Sequence, residues 1–120
     1  MTIGVNMEKI VEQGLLYDFY GELLTEHQKK IYEDVVFHDY SLSEIAQEQG
    51  ISRQGVHDLI KRCNKILNEY ESKLHLVERF MKTKKIAEKL DSLLQKYEAT
   101  KDNKILTDIQ QLSKQLLKEV

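Results

Sequence analysis

The 120-residue chain has no proline, no tryptophan, one cysteine and only five glycines. Proline and glycine are the strongest turn formers, and a β-rich domain of this length needs many turns. Their scarcity excludes a sandwich or barrel and leaves an all-α fold. The lone Cys63 rules out an internal disulfide and a cysteine-rich metal cage. Its apolar neighbours recur at helical spacing, which makes it a small buried hydrophobe. No apolar run approaches the ~20 residues that span a bilayer, so no membrane insertion is expected. Met1 to Asn6 lacks the basic start and apolar core of a signal peptide, and the cytoplasm is the expected location. With 41% hydrophobic and 32% charged residues, the chain is too apolar to stay disordered.

The net charge of −2 conceals an asymmetry. Residues 1–51 carry 3 basic and 10 acidic side chains, whereas residues 52–89 carry 10 basic and 5 acidic ones. Residues 90–120 are balanced, with 5 of each. An acidic first part beside a basic middle points to partners that respond to charge.

Helical periodicity runs from end to end. Val11, Leu15 and Phe19 repeat every fourth residue, and Asn6 stands where an N-cap would begin that helix. Thr25-Glu26-His27-Gln28 has the spacing of a capping box, in which a hydroxyl covers a free N–H and Gln28 reaches back. Ser41-Leu42-Ser43-Glu44 repeats the pattern, Gly50 ends the short helix that follows, and Ser52 caps the next. From Val56 the apolar positions Ile60, Cys63, Leu67, Tyr70, Leu74, Val77 and Met81 alternate steps of four and three, a heptad seam. The seam fits either one long helix or two helices parted near Glu71–Lys73. Ala99 to Asn103 has turn composition, and Ile105, Ile109, Leu112 and Leu116 mark a last helix.

The informative stretch is Ser41 to Arg62. A helix-turn-helix needs a small residue where its helices cross, a turn residue that tolerates positive φ, and apolar residues that lock the second helix onto the first. Ala46, Gly50, Ile51 and Val56 fill those places, and Leu42, Ile45 and Leu59 complete the wedge. In such a unit the second helix lies across a major groove. Ser52, Arg53, Gln54, His57, Asp58, Lys61, Arg62 and Lys65 fall on its outward side and form the candidate nucleic-acid site. Arg53 has the fork that matches guanine and Gln54 the amide that matches adenine, while Lys61, Arg62 and Lys65 suit phosphates. Ser52 opens the helix, where free N–H groups favour a phosphate.

These residues carry a family likeness. LLYDFYGELLTEHQKKIYEDVVFHDYSLSEIAQEQGISRQGVHDLIKR resembles the YlxM family of small bacterial helix-turn-helix proteins, relatives of region four of bacterial sigma factors. The likeness is dense over Leu15–Leu76 and looser beyond. It implies an all-α fold, a regulatory role and a link to the signal recognition particle, whose GTPase gene accompanies the family's genes. One departure is Gly55, where relatives carry a helix former such as Ala. A glycine inside a helix costs ~1 kcal/mol, so Gly55→Ala is expected to raise stability provided its α-carbon is unobstructed.

No phosphate loop, dinucleotide fingerprint, nucleophile elbow or zinc-protease motif occurs, so no enzyme, catalytic residue or cofactor is expected. His38 with Asp34 and Asp39 is the nearest approach to a metal pair, and it lacks a third ligand. The aromatic group Tyr17, Phe19, Tyr20, Tyr32, Phe37 and Tyr40 is expected in the core. Arg79, Lys82, Lys84, Lys85 and Lys89 form a basic run that suits a solvated face, nucleic acid or an acidic partner equally.

The expected organisation is a sigma-region-four-like helical domain over residues 1–70, with its helix-turn-helix at 41–65, then a helical extension over 71–120. The leading reading is a DNA-binding regulatory protein in the signal recognition particle pathway, reaching DNA, or RNA, weakly. Its rival is an accessory protein that binds the particle's GTPase or RNA and keeps the motif as scaffold. A homodimer is expected through the seam Leu67, Tyr70, Leu74, Val77 and Met81 together with the terminal helix.

Overall fold

In a computed structural model the backbone is described for residues 7–119 and the side chains for residues 11–119. The Asn6 cap lies outside the described residues. Every described element is helical: α1 (Met7–Tyr20), a 3-10 turn (Gly21–Leu23), α2 (Glu26–Val36), α3 (Leu42–Gln49), α4 (Arg53–Leu74), α5 (Leu76–Thr100) and α6 (Lys104–Glu119). The chain forms two compact units that divide between His75 and Leu76.

In the first unit α4 is the axis against which α1, α2 and α3 all pack. Its buried side carries Val56, Cys63 and Leu67, each with no exposed surface, facing Leu16, Tyr20, Ile31, Tyr32 and Ile45. Burial pushes the Cys63 thiol pKa up, which suits an inert packing residue. Two buried tyrosines tie the earlier helices to α4 through their hydroxyls. Tyr32 donates to Asn64 Oδ1 at 2.7 Å and Tyr20 to Glu71 Oε1 at 2.6 Å. The ring of Tyr17 stacks on that of Tyr32 at 5.3 Å and its hydroxyl donates to Glu33.

Three of the aromatics assigned to the core are surface residues instead. Phe19, Phe37 and Tyr40 keep 40%, 45% and 48% of their area exposed. Phe37 closes α2 and lays one edge on Tyr17 and Tyr32, and Tyr40 follows the helix end, so neither is enclosed on all sides.

Of the two arrangements the seam allows, the structure has two helices, parted at His75 just beyond Glu71–Lys73. α4 ends at Leu74, and His75 turns into the left-handed region (φ 57°) while its N–H still reaches Glu71 O at 2.9 Å. Leu67 is therefore core of the first unit, Leu74 is half exposed, and Val77 and Met81 belong to a different helix. The five side chains proposed as a dimer face do not share one helix.

Asp34 is the one buried charged residue described, and it organises the end of α2. Its carboxylate takes Lys30 Nζ at 3.1 Å and His38 Nδ1 at 3.1 Å, and its carbonyl accepts from Tyr40 N. The supposed metal pair is thus joined to itself by a hydrogen bond. Burial alone raises the Asp34 pKa, but hydrogen bonds from His38 and Lys30 outweigh it and the net shift is downward. A lowered acid contributes stability above its unfolded pKa and loses that contribution as pH falls through the folded value. Wild type should therefore exceed Asp34→Asn in urea midpoint at pH 7, with the gap closing only below pH ~4, the unfolded range of a carboxyl. A gap unchanged between pH 7 and pH 3 would mean that the charge is not what stabilises.

The second unit is a hairpin of α5 and α6. Its turn is shorter than the expected Ala99–Asn103, because α5 continues through Thr100. Lys101 takes a left-handed φ of 56°, and Asp102 Oδ1 accepts from Lys104 N at 3.0 Å to open α6. Thr83, Ile86, Leu90, Leu93 and Tyr97 of α5 and Ile109, Leu112 and Leu116 of α6 are half-buried, with Ile105 buried.

Candidate nucleic-acid interface

Local chemistry sets α2, α3 and α4. Thr25 and Gln28 make both bonds of a capping box: Gln28 N donates to Thr25 Oγ1 at 3.1 Å and Thr25 N to Gln28 Oε1 at 3.0 Å. Ser41 Oγ accepts from Glu44 N at 3.1 Å, and Ser52 Oγ from Gly55 N at 2.9 Å. Between α3 and α4, Gly50 adopts φ 68° and ψ 29°. The Ala46 carbonyl then accepts from the N–H groups of both Gly50 and Ile51, closing α3 in a Schellman-type turn. A β-carbon at Gly50 would meet nothing within 4 Å, so it is the left-handed backbone, not crowding, that calls for glycine.

The turn sends α4 across α3 over a small shared core. Ile31, Ile45, Ala46 and Val56 are buried together, and Val35, Leu42, Leu59 and Ile60 pack around them. These include Ala46, Val56, Leu42, Ile45 and Leu59 of the wedge read from the motif, but not Ile51, which is exposed. With Val56, Ile60, Cys63 and Leu67 directed inward, helical geometry turns Gln54, Asp58, Lys61, Arg62 and Lys65 away from the core and His57 to its margin. Arg53 shares the stripe of Val56 and Ile60 and is exposed because it is the first residue of α4.

Ser52, Arg53, Gln54, His57, Asp58, Lys61, Arg62 and Lys65 are all exposed. From Arg53 to Lys65 they extend along ~18 Å of helix at 1.5 Å per residue, within the reach of a major groove. The first turn lines a shallow groove formed by Leu42, Arg53, Gln54 and His57. Leu42 is a site residue that the motif reading assigned only to the wedge. Its place three turns upstream in another helix gave no sign that it borders Arg53.

The face is not a set of independent side chains. Gln54 Nε2 donates to Asp58 Oδ1 at 2.9 Å, while His57 Nδ1 lies 3.8 Å from the same oxygen. Asp58 therefore fixes the amide of Gln54, and a base that uses Gln54 must either accept that orientation or displace it. The i,i+4 spacing of Gln54 and Asp58 was the available sequence signal.

Gly55 is also explained differently from the sequence expectation. A β-carbon there would lie 3.2 Å from Ser52 Oγ and 3.8 Å from Ile51, so the α-carbon is not open on all sides. Gly55 occupies the third position of α4, where its own N–H is bound by the Ser52 cap. Ala at this site gains backbone stability but crowds the cap oxygen. Gly55→Ala is thus expected to add less than the ~1 kcal/mol of an interior site. The same substitution in a Ser52→Ala background should add more, because the crowding atom is gone. Equal gains in the two backgrounds, measured by urea unfolding, would show that the cap does not limit it.

With this geometry in place, the known relatives fall into line. A family profile described as "Putative helix-turn-helix protein, YlxM / p13 like" (UPF0122) matches residues 7–116. A UPF0122 protein of Geobacillus sp. (strain WCH70) is 47% identical over 92 residues, covering 76% of this chain and 84% of its own. One from Acetivibrio thermocellus is 50% identical over 78 residues, 65% of this chain and 67% of its own. One from Streptococcus pneumoniae (strain Hungary19A-6) is 40% identical over 109 residues, covering 91% of this chain and 94% of its own. Family match and fold agree, and the chain is a member of the UPF0122 family of YlxM / p13-like proteins.

Proposed function

We propose that this chain is a non-enzymatic nucleic-acid-binding regulatory protein that lays the first three turns of α4 into a DNA major groove. The observation that carries the reading is the two-sided character of α4. One side is locked into the α2–α3 core, and the other presents Gln54, His57, Asp58, Lys61, Arg62 and Lys65 to solvent, with Ser52 and Arg53 exposed at the start of the helix. Arg53 and Gln54 read base edges, Lys61, Arg62 and Lys65 meet phosphates, and the start of the helix offers N–H groups to another. Four cations against the single acid Asp58 give the face its net positive charge. The signal recognition particle is the setting we attach to this activity, on the strength of the resemblance to YlxM proteins. No described helix is long and apolar enough to cross a membrane.

A second reading has its own support. Asp58 holds Gln54 and places a negative charge inside the face, as a protein-binding scaffold tolerates better than a DNA reader. On that reading the chain is an accessory to the particle's GTPase or RNA, and the motif is architecture.

Single substitutions separate the roles. Lys61→Ala should weaken binding to all DNA sequences alike and reduce the salt slope by about one unit, as expected for one lost phosphate contact. Arg53→Ala should instead flatten the preference among sequences, since a bidentate base contact carries ~1–3 kcal/mol of discrimination. Binding constants across a salt series on a selected DNA pool check both. Identical slopes for wild type and Lys61→Ala would remove α4 from the phosphate backbone.

A further inference from the structure

The charges of α5 are segregated. Thr83, Ile86, Leu90, Leu93 and Tyr97 form its inward stripe in the hairpin. About a quarter-turn from that stripe, Lys82, Lys85, Lys89 and Lys96 project from one side of the helix, and all four are exposed. They extend along ~21 Å at 1.5 Å per residue. Of the basic run read from the sequence, Lys82, Lys85 and Lys89 share this side, whereas Arg79 and Lys84 do not. Lys118 and Gln115 of α6 reach the same edge, where they line a shallow groove with Lys82, Lys85 and Ile86. Glu88, Asp91 and Glu98 stand on other sides of α5, and Glu78 is paired with Lys82 at 3.5 Å. α6 brings Asp108 and Glu119 to this edge but also Lys104 and Lys118, so the lysines of α5 set its sign.

A helix face that serves only solubility commonly places acids three or four residues from its lysines. Lys89 and Lys96 have no acid at either spacing, and Lys85 has Lys82 and Lys89 as its neighbours along the edge. No ion pair among the described residues involves Lys85, Lys89 or Lys96. Like charges four residues apart repel and weaken a helix. A polyanion laid along the edge turns that repulsion into attraction.

We infer that this edge of the α5–α6 hairpin is a second DNA contact, a seat for the phosphate backbone of a duplex. The inference takes its ligand from the DNA reading of α4 and adds a surface on the other unit. The composition of the edge selects the occupant. Centres of protein–protein interfaces are poor in lysine and rich in aromatics, methionine and arginine, whereas DNA-binding surfaces are polar and positive. Single strands are held by basic grooves that also offer aromatic rings to the bases. Here Phe80 lies on the opposite side of α5 and Tyr97 turns inward, so the edge suits a duplex, whose bases stay paired. Lysine is a flexible point charge that meets phosphates without reading sequence. A run of ~21 Å matches about six base-pair steps of 3.4 Å. So few lysine contacts hold DNA weakly by themselves, and the edge adds to α4 without replacing it.

A salt series of fluorescence anisotropy on the full chain tests the inference, with a random-sequence DNA duplex and an RNA duplex of equal length as probes. Lys85→Gln, Lys89→Gln and Lys96→Gln should each lower the DNA salt slope by about one unit, and the triple variant by about two to three. The triple variant should bind DNA about tenfold more weakly or worse, with its preference among sequences unchanged. Lys84→Gln, next in sequence to Lys85 but on another side of α5, should leave the slope as it is. Gln matches Lys in helix propensity and the sites are exposed, so circular dichroism should not change. Should the triple variant lose helix, the three single variants decide. A wild-type slope in the lysine variants would overturn the inference and leave the α4 reading standing. Loss of DNA binding in the lysine triple but not in the alanine variant of Arg53, Gln54 and Lys61 would support the edge and overturn α4. An equal fall for Lys84→Gln would overturn the inference, since net charge alone would then explain the effect. So would a wild-type chain that binds the RNA duplex only, or neither probe.

Discussion

Ile31→Ala should lower the stability of the first unit by about 2–5 kcal/mol, the range of a fully buried aliphatic truncated to alanine. Ile31 has no exposed surface and lies where α2 meets α3 and α4, in contact with the cluster of Ile45, Ala46 and Val56. Losing its three outer carbons removes their transfer free energy and leaves a cavity that the caps on either side prevent from collapsing. Thr25 and Ser41 fix the starts of α2 and α3, and Gly50 fixes the crossing angle. A unit of this size shifts in melting temperature by ~4–8 °C per kcal/mol, so a fall of at least ~10 °C is expected by calorimetry. Nucleic-acid binding should fall with it, since α4 is aimed by this core. A loss below ~1 kcal/mol would mean that α2 is not what holds the motif.

Much of the fold was legible because local signals and tertiary packing agree there. Thr25, Ser41 and Ser52 cap the helices their spacing predicts, and Gly50 takes the left-handed turn. Ala46 and Val56 meet in the wedge. What escaped was local conformation with no local sign. His75 turns left-handed without being Gly or Asn, and the apolar period passes straight through it, so the seam could not decide between one helix and two or place the break at His75. Phe37 and Tyr40 have the composition of a core but follow the end of α2 and stay partly exposed, Phe37 with one edge on Tyr17 and Tyr32. Periodicity reports which residues share a face and says nothing about whether another element reaches that face.

The candidate site was legible in its membership and illegible in its couplings. Gln54, Asp58, Lys61, Arg62 and Lys65 could be picked out as outward once Val56 was assigned inward, and Ser52 and Arg53 as exposed because they open the helix. The hydrogen bond between Gln54 and Asp58, the groove wall supplied by Leu42 and the crowding of Gly55 against Ser52 Oγ depend on rotamers and on a second helix. They alter what the face can do without altering who is on it. Asp58 in particular would set a cost on base reading by Gln54, because the amide would exchange a charge-assisted bond to a carboxylate for neutral bonds to a base.

On the proposed reading, the largest functional effect is expected when the two base-reading side chains and the nearest phosphate contact that it assigns are removed together. Arg53, Gln54 and Lys61 are exposed and lie outside the core cluster, so replacing all three with alanine should leave the fold intact. Two base contacts at ~1–3 kcal/mol each and one phosphate contact add to a loss of affinity of about a hundredfold or more. The direct measurement is fluorescence anisotropy at low salt of wild type and the triple variant on a genomic DNA pool and on the particle's RNA. Wild type should bind the DNA with a steep salt dependence, and the triple variant should lose that binding while keeping its helical signal. Equal binding of both proteins to both nucleic acids would contradict the assignment of the α4 face.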